Sequence, residues 1–303
     1  MEPARALPAS VGARPEAIEW PGRQSGVLPM PIHPTALVDP KAQIDAAATI
    51  GPYTIIEGEV RIGPNTVIYP QVYISGWVSI GAGCQIHPGA VLGHLPQDFH
   101  FSGSRTFLRI GDGTVIREHA SIHRGTQPES ETVIGKNCFI MGYSHIGHNC
   151  EVADDVKIAN MAALSGHVTV GRGSFVSGYC LIHQFVRIGE YAMIAGGTRL
   201  SMDAPPFFTC MGESECMFVN LVGVKRAGFS KAEIAELREA YRLLYRSGKT
   251  FQAATADLAA AAKTQPGRRL VEFISLKSKR GICGPPTGQR MSTGKADEDS
   301  DED

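Results

Sequence analysis

The stretch Ile140-Met141-Gly142-Tyr143-Ser144-His145-Ile146-Gly147-His148-Asn149-Cys150-Glu151-Val152-Ala153-Asp154-Asp155-Val156-Lys157-Ile158 places a branched aliphatic at every sixth residue. The phase holds without a break from Ile134 to Leu200. Upstream it runs from Ile32 through Val38, Ile44, Ile50 and Ile56 to Leu92, and returns at Ile110, Ile116 and Ile122. Two further positions are patterned. Glycine often follows the aliphatic (Gly51, Gly63, Gly135, Gly147), and the fourth residue after it is small or β-branched (Thr54, Thr66, Cys84, Cys150, Ala162). Neither a helix nor a half-buried strand repeats in this way. A period of six suits a short flat strand and a tight turn, with glycine supplying backbone freedom at the turn. The pattern is the hexapeptide signature of a parallel β-helix, a mainly β architecture in which each coil buries its neighbour's apolar face.

The β-helix is predicted to occupy 32–202, with polar insertions at 95–108 and 127–132 that break the ladder where binding residues tend to sit. Asp203-Ala204-Pro205-Pro206 ends the pattern. A capping box, Ser230-Lys231-Ala232-Glu233, then opens a helix with Ile234, Leu237, Tyr241, Leu244 and Tyr245 on one face. Further helices are predicted over 251–264 and 267–278, making 203–283 a helical domain that caps the open end of the solenoid. Residues 1–31 read as a disordered extension, with Met30 an alternative start, and 284–303 as a disordered acidic tail.

The 303 residues carry a formal net charge of −1, which gives no global case for nucleic acid. No apolar run approaches the roughly 18 residues that span a bilayer, and the first 31 residues lack the core of a secretory signal. The seven cysteines match no zinc or redox spacing, and four of them (Cys84, Cys138, Cys150, Cys180) fall at the small core position. Free thiols in a reducing compartment, the cytoplasm, are expected.

By resemblance to hexapeptide-repeat β-helices, the coil is left-handed and triangular with about 18 residues per turn. His148, Gly166 and Gln184 then form one column, with His145, His167 and His183 on the same edge. His87, His119 and His123 fall outside it. A lone histidine is more often structural, whereas four on one edge beside Gly142, Gly147 and Gly166 suit a base next to exposed backbone N–H groups. Clustered histidines also suit zinc, as on the same scaffold in γ-class carbonic anhydrases, and a non-catalytic scaffold is a third reading.

From Ile32 to about Ile282 the chain closely resembles the UDP-N-acetylglucosamine O-acyltransferase family that opens lipid A biosynthesis. The resemblance rests on Ile122-His123-Arg124-Gly125-Thr126, His145-Ile146-Gly147-His148-Asn149-Cys150, Leu164-Ser165-Gly166-His167-Val168 and Ile182-His183-Gln184-Phe185. It continues through Gly223-Val224-Lys225-Arg226-Ala227-Gly228-Phe229 and Tyr245-Arg246-Ser247-Gly248-Lys249-Thr250. It implies a metal-free, cofactor-free homotrimer that moves a 3-hydroxyacyl chain from acyl carrier protein to the sugar's 3-hydroxyl, its sites in the clefts between subunits. His148 would be the general base and the Gly166 N–H the oxyanion donor. Gln97, Asp98, His145, His167, His183 and Gln184 would position the sugar nucleotide, Asn220 and Arg226 would lie near uridine and its phosphates, and Gly196 near the far end of the acyl groove. Arg242, Arg246, Lys249, Arg268, Arg269, Lys277, Lys279 and Arg280 are candidate contacts for the acidic carrier protein.

The chain departs from the family pattern at several positions. Asn149 stands where an Asp follows the base, His100 where a Lys occurs, and Ala227 where a second Arg occurs. Ser214 lies near a residue that sets chain length in one relative, so acyl length does not transfer, nor does the choice between a 3-hydroxyl and a 3-amino acceptor. The helical tail counts against the carbonic anhydrase reading. The short N-terminal extension counts against a sister N-acyltransferase that carries an extra uridine-binding domain.

Overall fold

The computed structural model of the chain describes residues 31–286. The expected extension and acidic tail lie outside the described residues, apart from Pro31 and residues 284–286. Short strands stack into parallel sheets of nine and eight strands and a ten-stranded sheet, parallel except for its final hairpin. Registers follow the aliphatic ladder: Ile146 pairs with Leu164, Leu164 with Ile182, and Ile182 with Leu200. On a second face Ile140, Ile158, Val176 and Ile194 stack in the same way. These side chains are buried in one continuous core because a two-residue strand turns its ladder residue inward and its neighbour outward.

The glycines after the ladder residues have a different cause from the one the sequence suggested. A Cβ at Gly51 would lie 2.7 Å from the Pro70 nitrogen, and one at Gly135 would lie 2.6 Å from the Ala153 carbonyl carbon. Close approach of successive coils therefore excludes a side chain there. The left-handed backbone falls two residues later, on Tyr53, Asn65, Asn149, His167 and Phe185, among others.

The first insertion is shorter than the polar stretch implied, and the second starts and ends earlier. Phe107 and Leu108 belong to the strand Phe107–Ile110, which pairs with Glu131–Ile134. The projecting segments are therefore 95–106 and 124–130, since the strand borders lengthen to pair with each other.

After the last coil the chain adds a hairpin that the period of six did not reveal. Phe208–Met211 pairs in parallel with Met193–Ile194 and in antiparallel with Glu215–Val219. Helix α1 (Leu221–Arg226) follows, also unforeseen, then α2 (Lys231–Arg246), α3 (Phe251–Ala261) and α4 (Gln265–Ser275). The reciprocal Ser230–Glu233 capping box starts α2. Thr264 caps α4 with Pro266 in its first turn, which is why α4 begins earlier than predicted. Phe208, fully buried, meets Tyr241 and Tyr245 of α2 edge-on. Asp203, whose side chain is 1% exposed, receives the Arg187 guanidinium at 2.7 Å, tying the end of the β-helix to the segment that follows. All seven cysteines are buried free thiols. Among the described residues no helix is long and apolar enough to cross a membrane.

Candidate active site

Turns leaving the nine-stranded sheet carry His148, Gly166 and Gln184 at the same position in successive coils. His148 is held on one side by Asn149, whose Oδ1 lies 3.1 Å from His148 Nδ1. That oxygen also accepts from Thr126 N at 3.1 Å and from Thr126 Oγ1 at 3.0 Å. A backbone N–H only donates, so the amide atom it meets is the oxygen, and His148 Nδ1 must carry the proton. In the neutral ring the lone pair is then on Nε2, from which Asp98 Oδ2 stands 4.0 Å away. Asn149 itself, at φ 58°, donates its N–H to the buried Thr132 Oγ1 at 2.8 Å.

Gly166 leaves the space for this ring: a Cβ there would sit 2.4 Å from His148 Cε1 and 2.5 Å from Nε2. Among the described residues its N–H makes no backbone hydrogen bond, unlike the His167 N–H beside it, which donates to His148 O at 2.9 Å. His167 stands perpendicular to His148 with ring centroids 5.2 Å apart, and stacks on Phe185 at 4.7 Å. Lys279 Nζ lies 4.3 Å from the Phe185 centroid. Burial first, then His148 and Lys279, push the His167 pKa down. His145 projects from the strand His145–Ile146, its Nδ1 2.8 Å from Ser121 Oγ. Its pKa is also pushed down, chiefly by burial and then by His148.

Asp98 arrives on the 95–106 segment, its Oδ1 accepting from His100 N at 2.9 Å and lying 3.2 Å from His100 Nδ1. The backbone N–H is the main reason its carboxyl sits below the usual range. Gln97 is exposed beside it. His183 and Gln184 are exposed in the next coil, with His183 Nδ1 3.2 Å from the Gln184 carbonyl. His183 stands at the same corner one coil further on.

Three expected site residues lie elsewhere on the chain. Gly196 is exposed in the turn between Met193–Ile194 and Arg199–Leu200, a different corner of the prism. Asn220 and Arg226 border a cavity of about 810 Å³ with Lys157, Phe175, Tyr191 and Met193, and none of the histidines lines it. Asn220 caps α1, accepting from Gly223 N at 3.1 Å, while its Nδ2 donates to Tyr191 O at 2.8 Å.

His123, set aside by the strict spacing, belongs with the cluster. Its ring meets His145 edge-on at 4.9 Å, it is 5% exposed, and its buried Nδ1 has no hydrogen-bond partner among the described residues. Burial, reinforced by His145, His94 and His148, pushes its pKa down to about 4. The register pairs Ser121 with His145 because the 124–130 segment lengthens that coil, so a fixed count of 18 passes over it. His87 and His119 do sit apart, stacked on Tyr69 and Tyr143. Several of the basic candidates are already engaged: Arg242 with Glu239, Lys249 with Asp257 and Arg269 with Glu190.

The chain matches the family described as Udp N-acetylglucosamine O-acyltransferase, Domain 2, over residues 203–283. It matches the bacterial transferase hexapeptide family over 59–94 and 131–166. The acyl-(acyl-carrier-protein)–UDP-N-acetylglucosamine O-acyltransferase of Gloeothece citriformis is 43% identical over 264 residues, 86% of this chain and 96% of its own. Its counterpart from Stutzerimonas stutzeri is 42% identical over 253 residues, 83% of this chain and 98% of its own. Among solved structures, the Francisella novicida UDP-N-acetylglucosamine acyltransferase superposes with TM-score 0.81 at 33% identity, covering 84% of this chain and 95% of that one. The Moraxella catarrhalis enzyme superposes with TM-score 0.80 at 37% identity, covering 84% and 100%. Relatives this similar, aligned along the β-helix and the helices that follow, make the chain a member of the acyl-(acyl-carrier-protein)–UDP-N-acetylglucosamine O-acyltransferase family.

Proposed function

We propose that the chain transfers a (R)-3-hydroxyacyl group from acyl carrier protein to the 3-hydroxyl of UDP-N-acetylglucosamine, the first step of lipid A biosynthesis, with His148 as general base. The observation that carries the proposal is the fixed tautomer of His148. With Nδ1–H held by Asn149 Oδ1, the basic lone pair of the neutral ring is on Nε2, on the side of Gly166 and Asp98. Nε2 takes the proton of the sugar hydroxyl as its oxygen attacks the thioester carbon. The carbonyl pair moves onto oxygen, which the Gly166 N–H stabilises. Collapse expels the carrier's thiolate, and His148 returns the proton to sulfur.

Asp98, Gln97, His145, His167, His183 and Gln184 border the same corner and position the sugar nucleotide. Because one chain holds Asn220 and Arg226 in a separate cavity, a complete site takes those residues from a neighbouring copy, which suits a homotrimer with its sites between subunits. The Arg226 guanidinium, exposed at the end of α1, suits the diphosphate. Seven free buried thiols fit a reducing compartment, and we assign the reaction to the cytoplasm.

The test is turnover of 3-hydroxyacyl-carrier protein and UDP-N-acetylglucosamine by the full chain and by His148→Gln. Transfer that falls at least about a hundredfold in the variant supports the base assignment, since general acid–base catalysis contributes about 10²–10⁴-fold. Transfer by the variant within threefold of the parent overturns it.

A further inference from the structure

Among the described residues, Arg124 is a buried cation that makes no ion pair. It is 7% exposed, Nη1 donates to the Gly93 carbonyl at 2.9 Å, and Nε is enclosed with no hydrogen-bond partner among the described residues. Two rings stand where a carboxylate would be expected. Trp77 and Phe101 each lie with their centroid 5.6 Å from the guanidinium carbon. The coil is shaped around this group: Gly76 has φ +90°, and a Cβ there would meet Nη1 at 2.4 Å. A flat, delocalised, weakly hydrated cation is the side chain that suits stacking on aromatic faces.

Phe101 belongs to the projecting 95–106 segment. Among the described residues, the hydrogen bonds of 97–104 stay within that stretch: His100 to Asp98, Phe101 N to Asp98 O at 3.1 Å, and Ser102 with Ser104. Phe99 is fully exposed. Little fixes the segment between its two strand ends, yet it carries Asp98 to within 4.0 Å of His148 Nε2. Phe101 is tied to Asp98 through its own N–H and to the β-helix through Arg124. Arg124 also lies two residues before Thr126, which fixes Asn149 on the other side of His148.

We infer that Arg124, packed against Trp77 and Phe101, is a positioning residue that latches the 95–106 segment so that Asp98 stays near His148 Nε2. The inference rests on the proposed function, in which Asp98 orients the sugar nucleotide at that base. It assigns specificity for the acceptor to a buried contact that the substrate never meets.

The experiment compares the full-length chain with Phe101→Ala, Phe101→Trp, Asp98→Ala and the Asp98→Ala/Phe101→Ala double variant. Phe101 is only half-buried, so its removal spares the fold. Phe101→Ala is expected to lower kcat/KM for UDP-N-acetylglucosamine about tenfold with the thermal midpoint unchanged, as small misplacements at a site do. Amide exchange is expected to accelerate in 97–104 alone, and Phe101→Trp to restore the rate. On the Asp98→Ala background the same change should cost less than twofold, since the latch acts through Asp98. A Phe101→Ala loss below twofold, or an equal loss with and without Asp98, overturns the latch. If the parent transfers no acyl chain, the proposed function fails and the exchange data decide: unchanged protection of 97–104 in Phe101→Ala then overturns the latch independently.

Discussion

Replacing Gly166 by alanine isolates the geometry of the base from the chemistry of the oxyanion donor. The added methyl keeps the backbone N–H, and the backbone at 166 lies outside the left-handed region, so the coil accepts alanine without strain. The Cβ would fall 2.4 Å from His148 Cε1 and 2.5 Å from Nε2, whereas carbon contacts settle at about 3.5–4.0 Å. The ring must withdraw by about 1 Å to restore ordinary contact. On one side it is held by Asn149, and His167 stands perpendicular to it at 5.2 Å, so the withdrawal stretches or breaks the Nδ1 hydrogen bond. A displacement of about 1 Å at reacting groups costs on the order of a hundredfold in rate, about 2.7 kcal/mol of barrier. The loss of one such hydrogen bond costs about 1 kcal/mol of stability, which leaves the chain folded. Steady-state kinetics should therefore show kcat down about a hundredfold, KM for the sugar nucleotide changed little, and a melting transition lowered by a few degrees. On a His148→Ala background the same methyl should add almost nothing. A Gly166→Ala enzyme with kcat within threefold of the parent would refute the claim that this ring position matters.

Three further outcomes follow from other parts of the molecule. Asn149→Asp keeps an acceptor for all three donors but adds a charge beside His148 Nδ1–H, so the acid limb of kcat/KM should move to higher pH; an unmoved limb contradicts the electrostatic role of this position. Ile158→Ala removes a side chain buried to 0% between Ile140 and Val176 and should cost about 2–5 kcal/mol in urea unfolding at fixed protein concentration; a loss under 1 kcal/mol would mean the coils collapse onto the cavity. His123 titrates near 4 in the fold against an ordinary 6.5, so between those values the unfolded chain binds a proton that the folded chain does not, and stability falls as pH falls. By pH 5 the loss should be about 2 kcal/mol relative to pH 7, and His123→Gln should flatten that slope; identical slopes in parent and variant would sink the assignment.

The β-helix was legible because its period is covalent in the sequence: each ladder residue from Ile134 to Leu200 stacks where counting by six puts it. The hairpin at Phe208–Val219 was not, since its residues follow no period and its partner is the last coil rather than a neighbour in sequence. His145, His148 and His167 were brought to one corner by the same counting, which works wherever no insertion intervenes. His123 was lost to it because an insertion changes the step between coils. What pairs with the imidazole was also invisible: Thr126 reaches Asn149 across 23 residues, and Asp98 approaches His148 on a segment whose path depends on a stacking contact at Arg124. Spacing within a coil records stacking, whereas side chains on projecting segments meet through tertiary packing, which no period encodes.

The central claim is the transfer reaction with His148 as its base, and one assay addresses both. The full chain is incubated with UDP-N-acetylglucosamine and a series of 3-hydroxyacyl-carrier proteins of different lengths, in parallel with His148→Ala, and the acylated sugar nucleotide is measured. The account predicts transfer by the parent at one preferred length and a loss of at least about a hundredfold in a folded, equally associated variant. Acylated product formed at the parent's rate by His148→Ala, or none from the parent at any length, would contradict it.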